Sequence, residues 1–313
     1  MPDHIAIQYI SHQQIDKQKW DNCIAESSNG LIYGYSFYLD NMAKHWDALV
    51  LGDYENVMPL TWNKKYGIRY LYQPFLTAQL GIFGKEITEE LVNLFIKKAQ
   101  TSFRYIEISL NSNNIFSSTS GVIHRSNYVL NMNKPYELLY KNYRENIQRN
   151  IKKALQFGCT VQKDFDAEKV IELAVQQMKK QGNEEKINIQ HFRKLYQYLH
   201  TKQMAITYGI VSPQKELLAS CVFFFSHNRV YYILVGNHPN GKTIGASHAL
   251  IDAFIKDYAG KNLLLDFEGS DIPSLSFFYS SFGAINEMYP AIKINNLPFY
   301  LKWIKKVWEF TIK

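Results

Sequence analysis

The 313 residues suffice for one large domain or two of ordinary size, and a hydrophobic fraction of 46% excludes a disordered chain. The 22 Tyr and 19 Phe suit ring-lined clefts as well as ordinary core packing. The formal charge of +7 admits anionic partners, among them a nucleotide cofactor, tRNA, a cell-wall precursor or an acidic membrane surface, and is equally compatible with plain solubility.

Met1-Pro2-Asp3-His4 lacks the basic and apolar regions of a signal peptide, and no apolar run is long enough to cross a bilayer, so the expected location is the cytoplasm. The first half then reads as a strand at Ile5–Tyr9, helices near Gln14–Asn22 and Ser36–His45, and strands at Ala48–Leu51, Val57–Trp62 and Arg69–Tyr72. A helix around Glu89–Gln100 and strands at Tyr105–Leu110 and Tyr128–Met132 follow. Cys23, Cys159 and Cys221 are far apart and odd in number, which encodes neither a disulfide framework nor a metal site and indicates a reducing compartment.

Pro135–Phe157 is a helical stretch read as the junction between halves. Leu139, Tyr143, Ile147, Ile151 and Ala154 make an apolar stripe at helical spacing, which leaves Arg144, Arg149, Lys152 and Lys153 for solvent or an anionic ligand. A strand at Thr160–Lys163 comes next, then a helix opened by Asp166 and closed by Gly182, and another at Ile189–His200. Three strands, Ala205–Val211, Leu217–Phe225 and Val230–Val235, joined by turns at Ser212-Pro213-Gln214 and His227-Asn228, predict an antiparallel meander. The loop His238–Gly245 leads into a helix at Ala246–Tyr258 and the apolar strand Asn262–Phe267. Asp271 as N-cap and Pro273 in the first turn predict a short helix to Ser281, before a last strand around Met288–Ile294. The order β-α-α-β-β-β-α-β-α-β of the second half is repeated in the first with weaker signals and without the helix before the last strand, which divides the chain into domains at 1–133 and 134–313.

Three segments carry residue types suited to chemistry. In Gly241-Lys242-Thr243-Ile244-Gly245-Ala246-Ser247 the glycines allow backbone N–H groups to approach an anion, and a helix start and Lys242 add positive charge, as a pyrophosphate needs; an ordinary turn is the alternative. The apolar strand Leu263-Leu264-Leu265 ends in Asp266 and Glu268, two residues apart and hence on one side; repulsion between them favours a proton acceptor, whereas helix capping or an ion pair is the structural alternative. Tyr279 on the short helix supplies a phenol able to protonate a departing thiolate, unless it only fills the core.

The element order and these segments resemble the GNAT acyltransferase superfamily, most clearly over the second half. In that superfamily the loop after the fourth strand reads Arg/Gln-x-x-Gly-x-Gly/Ala; Lys242-Thr243-Ile244-Gly245-Ala246-Ser247 departs from it at the first and last places. The ending Phe-Tyr-x-x-x-Gly-Phe is similar to Phe278-Tyr279-Ser280-Ser281-Phe282-Gly283-Ala284. The tandem layout further resembles FemAB-like transferases, fused pairs of GNAT folds, whose basic helix and fifth-strand ending are similar to Tyr143–Ala154 and Leu265–Ser270. Some members move amino acids from aminoacyl-tRNA onto peptidoglycan precursors, and the helical hairpin that certain members insert is absent here.

The resemblance implies an α/β (α+β) chain of two GNAT-like domains with mixed, mostly antiparallel sheets flanked by helices, the first domain degenerate and the second holding the donor. It implies direct transfer from acetyl-CoA or another acyl-CoA to an amine, on a small molecule or a cell-wall precursor; the alternative donor is aminoacyl-tRNA. Leu234, Val235 and Gly236 would polarise the acyl carbonyl, Gly241, Lys242, Thr243, Gly245, Ala246 and Ser247 would seat the cofactor, and Arg144, Arg149 and Lys152 would bind substrate. Glu268 or Asp266 would take the amine proton, and Tyr279 would assist the leaving group. No metal is expected. A non-catalytic module that binds a glycan or a lipid-linked precursor is the alternative of another class. Phe299–Lys313 is amphipathic, with Tyr300, Leu301, Trp303, Ile304, Val307, Trp308 and Phe310 opposite Lys302, Lys305, Lys306, Glu309 and Lys313; it suits the protein's own core or the inner face of a membrane. A monomer is expected from the internal duplication.

Overall fold

A computed structural model describes residues 6–116, 121–180 and 189–298. The closing Gly182 of the sixth helix and the amphipathic segment Phe299–Lys313 lie outside the described residues, as does Ile5 of the first expected strand. The chain divides into two compact units: one combines residues 1–124 with 289–313, and the other is 125–288.

The first unit begins with β1 (Gln8–Ile10), α1 (Lys17–Glu26) and α2 (Ser36–Met42), then β2 (His45–Leu51), β3 (Asn56–Lys65), β4 (Ile68–Tyr72) and the two-residue β5 (Phe83–Gly84). The helix α3 (Glu89–Ser102) leads to β6 (Tyr105–Ser109). Asp16 caps α1 by accepting from the N–H groups of Gln18 and Lys19, and Thr88 caps α3 by accepting from Leu91 N–H. The strands β1 to β4 pair antiparallel in sequence, whereas β4 and β6 run parallel, since α3 carries the chain back across the sheet. One face of α3 buries Val92, Phe95, Ile96 and Ala99 into a core with Leu49, Leu60, Leu71 and Ile106.

The second unit takes up residues 125–131 of β7 (Val122–Asn131), then α4 (Tyr136–Lys141), α5 (Glu145–Gln156), β8 (Thr160–Lys163), α6 (Ala167–Lys180) and α7 (Ile189–Thr201). The meander β9 (Ala205–Val211), β10 (Leu217–Ser226), β11 (Arg229–Asn237) follows as expected. Next come α8 (Pro239–Ile244), α9 (Ala246–Tyr258), β12 (Leu264–Asp266) and α10 (Pro273–Ser280), and β13 (Ile285–Asn295) starts in this unit. Here β8 to β11 pair antiparallel, β11 and β12 run parallel, and β12 pairs antiparallel with β7. Both units therefore hold an antiparallel meander followed by one parallel neighbour across a helical crossover, the tandem α/β plan expected from the sequence.

The closing strands differ from that expectation. Val129–Asn131, read as the end of the first half, pair with Leu264–Asp266 of the second unit. Ala291–Asn295, read as the end of the second half, pair antiparallel with Tyr105–Ser109 of the first. In each unit the strands are joined by one distant in sequence, so no single cut at 133/134 separates the units. The helical stretch after Pro135 is accordingly part of the second core: Leu139, Tyr143, Ile147, Ile151 and Ala154 are buried there beside Phe223, Leu250 and Phe254. The helix α10 is entered from Ile272 rather than from an Asp271 cap; the Asp271 carboxylate instead accepts from Ser126 N–H at 3.0 Å.

Candidate active site

In the second unit, β11 and β12 pair over only three positions, Arg229 with Leu264 through Tyr231 with Asp266, after which β11 runs on to Asn237 paired with β10 but without β12. The register of β10 jumps at the same height, from Phe223 opposite Tyr232 to Val222 opposite Leu234, so Ile233 forms a β-bulge. A bulge breaks the ladder locally and re-aims the backbone that follows it. The strands thus diverge where the sequence places Leu234, Val235 and Gly236. Leu234 N–H is directed at the buried Cys221 thiol. A side chain at Gly236 would meet the backbone of α6 within 2.8 Å, so that glycine is needed for helix packing.

The anion loop takes a different form from the one expected. Residues 239–244 are the short helix α8, capped by His238 and ended by Gly245 in the left-handed region at φ +83°. The N–H groups of Gly241 and Lys242 donate to His238 O and that of Gly245 donates to Gly241 O, so helix formation consumes donors that were expected to face a pyrophosphate. The two glycines are explained by contact: a Cβ at Gly241 would lie 2.2 Å from Leu218 O, and one at Gly245 would lie 2.6 Å from Asn150 O. Thr243 is spent as well, its hydroxyl donating to Asn240 O at 2.8 Å. What remains is the start of α9, where Ala246 and Ser247 hold the first N–H groups of the helix, without a capping side chain and without an acidic residue in the first turn. Ser247 Oγ donates to Asn237 Oδ1, which holds this helix start at the end of β11. Lys153 Nζ donates to Thr243 O at 2.7 Å and thus stands at the same junction, while Lys242 is exposed.

The structure separates the two carboxylates. Asp266 is buried and paired with Arg229, whose guanidinium also grips Glu287 at 2.9 and 3.0 Å. Burial pushes the Asp266 carboxyl up, and the Arg229 charge opposes it. Asp266 also accepts from Glu268 N–H at 2.8 Å. With its oxygens engaged and its side chain enclosed, it holds the end of β12 in place and is not a proton acceptor. The expected shared face fails because Glu268 lies beyond the strand at φ +65°, followed by Gly269 at +78°, and period-two alternation ends where the strand does. A left-handed glutamate is a strained position of the kind that recurs at functional sites.

Glu268 lies within electrostatic reach of Tyr279. The Tyr279 ring stacks on Phe267 with centroids 4.7 Å apart, and Phe267 meets Tyr232 edge-on at 6.0 Å, so three rings occupy the point of divergence. Burial, with the nearby Cys221 and Glu268, pushes the Tyr279 phenol well above its usual range and holds it neutral. Arg229 and Glu287 are the functional neighbours that the sequence did not reveal; a buried carboxylate demands a cation, but residue spacing does not say which. His248 was also missed. It sits in the first turn of α9 against Phe278, with Nδ1 buried and unpaired among the described residues, and burial lowers its pKa to about 4.

The three cations assigned to substrate belong to α5 and its N-cap position. Arg144 sits at the start of α5 with its guanidinium 4.6 Å from the Phe277 ring, and Arg149 and Lys152 line an open groove of about 530 Å³ with Glu145, Gln148, Lys153 and Gln156. Among the described residues no group of three or more His, Cys, Asp and Glu is placed to hold a metal, and no helix is long and apolar enough to cross a membrane.

Residues 141–271 match the family model described as an acetyltransferase (GNAT) domain. Over the whole chain the fold is similar to the crystal structure of FemX, at 14% identity, covering 94% of this chain and 99% of that one with a TM-score of 0.67. A conserved protein of unknown function from Bacteroides thetaiotaomicron is similar at 11% identity, 92% and 99% coverage and a TM-score of 0.54. The C-terminal domain of a lysylphosphatidylglycerol synthetase from Agrobacterium fabrum, described as putative, is similar at 9% identity, 88% and 91% coverage and a TM-score of 0.52. No curated protein matches the chain.

Proposed function

We propose, from the match of residues 141–271 to the acetyltransferase (GNAT) domain model and the fold similarity to FemX, that the protein is an N-acyltransferase that transfers an acyl group from acyl-CoA directly to an amine. The observation that carries this reading is the coincidence of three features in the second unit: β11 leaving β12 at the Ile233 bulge, the uncapped start of α9 at the end of β11, and Glu268 with Tyr279 where the strands part. The first unit offers a contrast. There Thr88 caps α3 and Glu89 and Glu90 occupy its first turn, so the equivalent helix start is filled by its own acceptors and repels phosphate.

Acyl-CoA supplies an activated thioester carbonyl. Ala246 and Ser247 N–H, with Lys242 and Lys153, would hold its phosphates. The backbone of Val235 and Gly236, re-aimed by the bulge, would donate to the acyl oxygen. Glu268 takes the proton of the attacking amine as the C–N bond forms and the C–S bond breaks. Tyr279 remains protonated through its buried setting and stabilises the departing thiolate as a hydrogen-bond donor, a role that suits a phenol too weakly acidic to surrender its proton.

The FemAB-like resemblance of Tyr143–Ala154 and Leu265–Ser270 supports a second reading, in which an aminoacyl-tRNA is the donor and a cell-wall precursor the acceptor. Titration calorimetry separates the two. Acetyl-CoA or CoA binding in the micromolar range is the expected result; no heat at millimolar ligand, with tRNA bound instead, selects the aminoacyl reading. A soluble enzyme of the cytoplasm fits either donor.

A further inference from the structure

We propose that the surface formed by α5 and α10 is a docking site for an anionic phospholipid bilayer. The helix α10 is unusually bare for its composition: of its eight residues only Tyr279 is buried, while Leu275 and Phe277, together with Ile272 just before it, are 38%, 52% and 57% exposed. An apolar helix face left in water is unfavourable for a monomer and marks an interaction surface. It abuts a basic helix. Arg144 lies over the Phe277 ring at 4.6 Å, its backbone N–H donates to Ser281 O, and from there α5 turns Arg149 and Lys152 outward along one face. The far end of α5 again exposes large apolar side chains, Leu155 at 57% and Phe157 at 48%.

The order along this surface is apolar, basic, apolar. Only Glu145 on the exposed α5 face opposes the sign. A protein partner of ordinary hydrophobic-core type would leave these cations buried, whereas a bilayer interface takes both: the rings and aliphatic chains enter the acyl boundary, and guanidinium and ammonium groups remain among lipid phosphates. Charge complementarity therefore selects an anionic lipid surface as the occupant. Arg144, Arg149 and Lys152, assigned from the sequence to substrate, bind headgroup phosphate on this account.

The test is sedimentation of the full chain with vesicles of phosphatidylcholine alone and of phosphatidylcholine mixed with phosphatidylglycerol. Pelleting with the anionic vesicles, reduced by salt, and little pelleting with the neutral ones is expected. Leu275→Ser or Phe277→Ser should each weaken partitioning roughly tenfold through lost apolar burial. The pair Arg149→Gln with Lys152→Gln should weaken it roughly thirtyfold, at about 1 kcal/mol per charge. Unfolding midpoints close to that of the unaltered protein would show that the folds are intact. The proposal is overturned by absent pelleting, by equal pelleting with neutral vesicles, by variants that pellet normally, or by concentration-dependent dimerisation that Leu275→Ser abolishes. Loss of tRNA binding in the Arg149/Lys152 pair with unchanged vesicle pelleting would overturn it in favour of a nucleic acid.

Discussion

At the scale of single residues, Asp266 and Glu268 show how little spacing says about role. Both are acidic and two positions apart, yet one closes a buried ion pair with Arg229 and the other stands at φ +65° beside Tyr279. Sequence located this pair and the tyrosine because a polar end to an apolar strand stands out. It did not separate them, since the end of the strand depends on pairing with β7 and β11. Under the transferase reading Tyr279→Phe and Glu268→Gln should each lower kcat/KM by roughly a hundredfold while unfolding stability moves by less than about 1 kcal/mol, measured by steady-state kinetics and urea denaturation. Equal loss of stability in both would reassign them to the core. His248 yields a pH prediction. Its folded-state pKa of about 4 lies below the free value of 6.5, so between those values the unfolded chain binds the extra proton. Stability should therefore fall as pH drops from 6.5 to 4, by up to about 3 kcal/mol from this group, and level off below. Urea titrations across that range should show a flatter slope for His248→Gln.

At the scale of elements, periodicity and punctuation placed most helices and strands within a few residues, because α5, α6, α7 and α9 each bury one stripe and the meander strands are bounded by turn residues. The segment 239–244 was misread as a loop. Its glycine and lysine spacing suggested a phosphate cradle, but Pro239 at the first helical position, capped by His238, starts a helix whose Gly241 must press against β10. Spacing alone could not show that, since the demand comes from Leu218 and Asn150, residues far away in the chain. Gly245→Ala would force a Cβ into Asn150 O at a backbone angle that side chains avoid. It should cost about 2 kcal/mol or more by thermal unfolding, and it should weaken acetyl-CoA binding by displacing the start of α9.

At the scale of the whole molecule, the sequence conveyed the duplicated plan but not the ownership of the last strands. Local pattern assigns a strand to its neighbours in sequence, whereas Val129–Asn131 and Ala291–Asn295 find their partners across most of the chain. Removing residues 289–313 should leave β6 with an unpaired edge and give a protein that aggregates, read by light scattering, rather than one that loses only a tail.

The same pairing sets an order of events during synthesis. A ribosome finishing Ser109 has made β1 to β6, yet the partner for β6 appears only after roughly 180 further residues, on the order of ten to forty seconds at ordinary elongation rates. Throughout that interval Tyr105–Ser109 offers an unpaired edge, and a charge at its centre, on the exposed Glu107, disfavours the joining of a strand from another chain.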